Sequence, residues 1–137
     1  MEIPTEKQKI TKAEGAAMQV EAAIEALVKG NFAIAITLAG AAEGMLEGDG
    51  KEMFQALLKA PGIEKHDRKK WIDTLNGELY WLKHVAKDDR KNLEISNLDA
   101  GFMIARAASK LDTWTPKIDE FKVWFLKAIE TEVGKPD

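Results

Sequence analysis

The fifteen residues from Phe32 to Leu46 read FAIAITLAGAAEGML, and they restrict what the rest of the chain can build. Only Thr37 and Glu43 in this stretch are polar, and no proline interrupts it. A membrane span needs about 20 apolar residues, so the stretch is too short to cross a bilayer but long enough for a helix of about four turns in a protein core. At about 100° per residue, Ala33, Thr37, Gly40 and Gly44 share one face, while Phe32, Ile36, Ala39, Glu43 and Leu46 share another. A helix that is apolar nearly all round needs neighbours on several sides. The expected fold is therefore all-α. Residues 1–137 are expected to form a single helical-bundle domain of five to six helices around this buried one.

The flanking segments supply the covering helices. Ile10, Ala13, Ala17, Val20, Ile24 and Leu27 step by three and four, which predicts a helix from about Thr5 to Lys29. Gly30-Asn31 ends that helix and opens the buried one, and Gly48-Asp49-Gly50 closes the buried one. A short third helix is expected over Glu52 to Ala60, stopped by Pro61-Gly62. A fourth runs from about Asp67 to Lys87 with Ile72, Leu75, Leu79, Leu82 and Ala86 on its stripe, although Asn76-Gly77 in its middle favours a turn. After an irregular connection over Asp88 to Ile95, Ser96 and Asp99 have capping-box spacing for a fifth helix reaching about Asp112. Thr115-Pro116 then opens a sixth, with Ile118, Phe121, Phe125 and Ile129 in register, ending near Val133.

With no cysteine, disulfides and thiolate metal sites are excluded. The segment MEIPTEKQKI has no apolar run like that of a signal peptide, and a cytoplasmic protein with no membrane association is expected. The net charge of -3 argues against a protein coated in nucleic acid. Residues 65–91 hold eight Lys/Arg against five acids, a local excess that reads first as a solvated face and only weakly as a phosphate-binding one.

Two places could carry chemistry. Glu43 projects from the bulky face of the Phe32–Leu46 helix, where an unpaired carboxylate would cost several kcal/mol or take up a proton. It needs a partner on a neighbouring helix, a role as a catalytic or ligand-binding acid, or water at a helix edge. On a continuous fourth helix, Lys70, Asp73, Gly77, Trp81, His84 and Asp88 lie opposite the apolar stripe, with Tyr80 at the margin. His84 and Asp88 have the spacing of a helical ion pair or of two metal ligands, but no third ligand is evident. His84 could serve as a general acid or base. The alternative is that Tyr80 and Trp81 pack on another helix or on a second copy of the chain. Neither serine, Ser96 or Ser109, stands in GxSxG, and GDGK at Gly48 to Lys51 lacks phosphate-loop spacing. No cofactor and no metal is expected.

GNFAIAITLAGAAEGMLEGDGKEMFQALL, Gly30 to Leu58, resembles the start of HEPN domains, and LNGELYWLKHVAKDD, Leu75 to Asp89, resembles a stretch of HEPN-like bacterial helical proteins. The resemblance implies a bundle of four or more helices, often paired as a homodimer, with ribonuclease or nucleotide-related activity in some members. That family's ribonuclease signature sets an Arg four to six residues before a His. Arg68, Arg90 and Arg106 do not precede His66 or His84 at that spacing, so the signature is absent and only His84 is carried over, without its Arg. Gly30-Asn31-Phe32 followed by Ala35 is similar to a tetratricopeptide turn, but the 34-residue repeat of that family has no second copy here.

These readings order the functional expectations. First comes a non-enzymatic helical module that self-associates as a homodimer, or binds a protein partner, through Tyr80 and Trp81. Second is a HEPN-type ribonuclease or nucleotide-binding protein using His84, with Lys83, Lys87 or Arg90 steadying phosphate. Third is a tetratricopeptide-like peptide groove beside Gly40 and Gly44.

Overall fold

The computed structural model describes residues 1–48, 65–84 and 90–133. Among the described residues there are five helices and no strand: α1 (Lys12–Val28), α2 (Phe32–Met45), α3 (Lys65–Lys83), α4 (Asn97–Ala108) and α5 (Pro116–Val133). The helix expected over Glu52 to Ala60 lies outside the described residues, as does most of the Gly48-Asp49-Gly50 turn.

α1 starts seven residues later than its apolar spacing predicts. The Thr11 hydroxyl accepts a hydrogen bond from the Glu14 backbone N–H at 3.1 Å, an N-cap that sets the first turn. Residues upstream of it are exposed, Ile3 and Ile10 included, so extending the helix would bury nothing. At the other end Gly30 adopts φ +79°, and the Gly30 and Asn31 N–H groups donate to Leu27 and Ala26 carbonyls at 3.0 and 2.8 Å. This is a Schellman turn, which only glycine enters without strain. It folds α2 back antiparallel to α1 and brings Met45 beside Gly15.

Among the described residues the most enclosed helix is α4 rather than α2. Over α4, every residue from Ala100 to Ala108 is buried except Arg106, and α4 packs against all four other helices. α2 packs mainly on α1, α4 and α3 and leaves Ile34, Thr37 and Gly44 exposed, while α5 lies on α4 and α1. Hydropathy ranks how oily a helix is, whereas centrality depends on how closely neighbours can approach. Ala100, Gly101, Ala105, Ala107 and Ala108 give α4 a thin profile on several sides, so other backbones can surround it. Phe102, Met103 and Ile104 fill the space this leaves, together with Val20, Ile36, Leu75, Ile118 and Phe125.

α3 runs through Asn76-Gly77 without a break. There the Asn76 side-chain oxygen accepts from Arg106 Nη1 at 2.6 Å, a tertiary bond that outweighs the local preference for a turn. α4 ends at Ala108, before the expected Asp112. The Ser109 hydroxyl donates to the Arg106 carbonyl at 2.7 Å, and the Trp114 indole N–H donates to the Ala108 carbonyl at 2.8 Å. At its start the Ser96–Asp99 capping box is formed on both sides, with Asp99 N–H to Ser96 Oγ and Ser96 N–H to Asp99 Oδ2 each at 3.1 Å.

Candidate functional site

Glu43 has partners. Its carboxylate lies 2.9 Å from Lys110 Nζ and 3.4 Å from Arg106 Nε, both at the C-terminal end of α4. Lys110 also donates to the Glu43 and Leu46 carbonyls at 3.1 and 3.4 Å, so one ammonium caps the end of α2 and neutralises its only acid. Arg106 continues the seam to Asn76 on α3. Glu43, Lys110 and Arg106 are each about four-fifths buried or more, and the exposed Asn76 links them to a third helix.

The expected aromatic face divides into separate parts. Tyr80 is half exposed and stacks on His84 with ring centroids 4.3 Å apart. Trp81 is half-buried instead, and its indole N–H donates to the Arg90 carbonyl at 3.0 Å. The tryptophan therefore anchors the segment leading into α4 through a contact within the chain. Lys83 and His84 are exposed at the end of α3, and Lys87 and Asp88 lie outside the described residues. Glu43 and His84 are not brought together: the first is bound to α4 and the second to Tyr80. Beside Gly40 the small-residue face is filled by Leu79 of α3, while Gly44 stays open. Among the described residues no group of three or more His, Asp or Glu side chains could hold a metal ion, and no helix is long and apolar enough to cross a membrane.

Two features emerge that the residue pattern alone does not bring forward. The first is Glu78, on the same stripe of α3 as Leu75, Leu79 and Leu82 and only 4 % exposed. Burial is the main cause that raises its carboxyl to about 8, and the charge of the neighbouring Asp99 adds to the rise, against the opposing Arg90. Its Oε2 has no hydrogen-bond partner. The spacing Leu75-Glu78-Leu79-Leu82 is the signal that could have found it, since the three leucines place an acid on the inner face.

The second is a groove of about 720 Å³ between the C-terminal end of α1, the start of α2 and α5. Ile24, Leu27, Val28, Phe32, Phe121 and Trp124 make its apolar wall, and Asn97 from the first turn of α4 also lines it. Val28 is 82 % and Trp124 40 % exposed, high values for side chains of this kind on a folded surface. Trp124 stacks against Phe125 and lies tilted against Phe121, with ring centroids at 6.2 and 6.1 Å. Along the rim Lys117 donates to Glu25, which lowers the Glu25 carboxyl and raises the lysine, and Glu21 and Glu120 also act on Lys117. The groove lining therefore carries two carboxylates, Glu25 and Glu120, and one ammonium, Lys117. Compared with known proteins, the chain matches no family model, no curated sequence and no solved structure.

Proposed function

We propose that the protein is a non-enzymatic helical module that binds a partner protein by taking an amphipathic helix into the α1/α2/α5 groove. The observation that carries this reading is Trp124, an anchored aromatic standing exposed in a concave apolar wall. Such grooves accept the apolar face of a helix, and aromatic anchors concentrate the binding energy. The rim selects the partner's flanks: Lys or Arg beside the apolar stripe meets Glu25 and Glu120, whereas acidic flanks are repelled.

Self-association through Tyr80 and Trp81 has less support, because the Trp81 indole is already bonded within the chain. The ribonuclease reading rests on the HEPN resemblance and on an exposed His84 whose described contact is Tyr80. Calorimetric titration with two helical peptides of the same apolar pattern, one flanked by lysine and one by glutamate, tests the proposal. The lysine peptide binds the wild type, the glutamate peptide does not, and Trp124→Ala weakens binding about tenfold or more, on the order of 1.4 kcal/mol. Equal affinity of Trp124→Ala and wild type overturns the proposal.

A further inference from the structure

On α5 the buried residues Ile118, Phe121, Phe125 and Ile129 face the bundle, while Glu120, Val123, Trp124 and Lys127 on the other side are all exposed. The spacing of these four is symmetrical. Val123 lies three residues after Glu120 and four before Lys127, whereas Trp124 lies four after Glu120 and three before Lys127. They therefore share one face, on which two apolar side chains flank a line running from an acid to a base. A half-turn about the point midway between Val123 and Trp124 exchanges position 120 with 127 and position 123 with 124.

The groove beside this face is longer than its larger cavity. A second cavity of about 290 Å³ is lined by Asn97, Leu98, Trp124, Lys127, Ala128 and Thr131, and it shares Asn97 and Trp124 with the first. The groove thus follows α5 from Lys117 to Thr131, a length of about 21 Å and room for about four turns of a facing helix. Its charges are ordered along that length. Glu25 and Glu120 stand near the start of α5, where Lys117 is bonded to Glu25, and Lys127 lines the second cavity. Val123 is 60 % exposed and lies on the α5 ridge outside both linings. A helix lying wholly within the groove leaves it in water, whereas one resting along the ridge covers both Val123 and Trp124.

We infer that the partner of this groove is a second copy of the chain, whose α5 lies antiparallel along α5 so that Glu120 of each copy meets Lys127 of the other and Trp124 meets its counterpart across a two-fold axis. Glu120 and Lys127 are two helical turns apart, about 10 Å, so antiparallel neighbours set an acid level with a base at both ends of the contact. The parallel arrangement sets acid against acid and base against base. The antiparallel contact is isologous, and each copy completes the other's groove with its own Trp124 and Lys127. The Trp124 contact rests on the groove being the binding surface; the charge pairing does not.

The test is sedimentation equilibrium of the intact chain from micromolar to millimolar concentration, with circular dichroism showing that each variant is folded. The wild type self-associates, and Glu120→Lys and Lys127→Glu each weaken association about tenfold or more, because either reversal makes both ends of the contact repulsive. Two rescues follow. An equimolar mixture of the two variants associates, since a face with two bases then meets a face with two acids. The double variant carrying both Glu120→Lys and Lys127→Glu self-associates as the wild type does. A helix that is merely destabilised is not restored in either way.

A wild type that stays monomeric throughout overturns the inference, and so does a dimer that both single reversals leave unchanged or that neither rescue restores. Monomers that still bind the lysine-flanked peptide through Trp124 leave the groove reading standing without a second copy. A dimer that follows the charge exchanges but is unmoved by Trp124→Ala keeps the antiparallel pairing and removes the groove.

Discussion

Phe125 of α5 lies directly over Gly101 of α4: a β-carbon placed on the glycine would come within 2.8 Å of the ring's Cε1. The ring cannot easily move aside, being edge-on to Phe102 at 4.9 Å and stacked on Phe121 at 5.4 Å. Leu79 covers Gly40 in the same way on α2, but nothing lies within 4 Å of where a side chain on Gly44 would begin.

Gly101, Gly40 and Gly44 should therefore respond with different signs to the same change. Alanine in a helix interior is ordinarily favoured over glycine by about 1 kcal/mol. Gly44→Ala should realise most of that gain. Gly101→Ala has to push a locked aromatic ring and should cost roughly 1–3 kcal/mol, with Gly40→Ala also unfavourable. Urea denaturation monitored by circular dichroism checks all three; a stabilised Gly101→Ala would show that α4 and α5 are not in close contact at that point.

The Glu43 seam gives a second expectation. Glu43→Gln keeps the shape of the side chain but leaves Lys110 and Arg106, about nine-tenths and four-fifths buried, without their counter-charge. Removing one member of such a cluster exposes the others to desolvation, and a loss of about 1–3 kcal/mol follows. Binding of the lysine-flanked peptide should be unchanged, because Glu43 does not line the groove. Denaturation and titration of the same variant separate the two readouts, and a loss of binding without a loss of stability would return Glu43 to a functional role.

How much of this was readable beforehand depended on how far apart the interacting residues lie in the chain. The Ile118, Phe121, Phe125 and Ile129 stripe and the Thr115-Pro116 start are local, and all four side chains are buried as their period requires. The Ser96–Asp99 box is local too, and it formed with Asp in the place usually held by Glu or Gln. The partners of Glu43 lie more than sixty residues away, so its spacing could say that a counter-charge was needed but not which one. The most enclosed helix is set by side-chain size more than by hydropathy. α2 is the oilier helix, yet the small side chains of α4 let four neighbours close around it. The Trp81 bond to the Arg90 backbone carbonyl is not legible in the sequence, because a carbonyl carries no sequence signal.

Glu78 also marks the stability of the whole fold. Its carboxyl is raised from 4.5 to about 8, so below the lower value it is protonated in the folded and unfolded chain alike and costs nothing. As the pH rises through this range the unfolded chain gives up the proton while the folded chain keeps it, and stability is progressively lost until the folded form also ionises. Glu25 acts with the opposite sign: held low by Lys117, it contributes above its ordinary value and loses that contribution only on acidification. Glu78→Gln carries no proton to lose. It should flatten the decline and exceed the wild type near neutrality by on the order of 1–3 kcal/mol, the scale of one to two units of carboxyl shift. Urea midpoints for both proteins at several pH values between about 5 and about 9 decide it, and parallel curves would mean that some other group sets the slope.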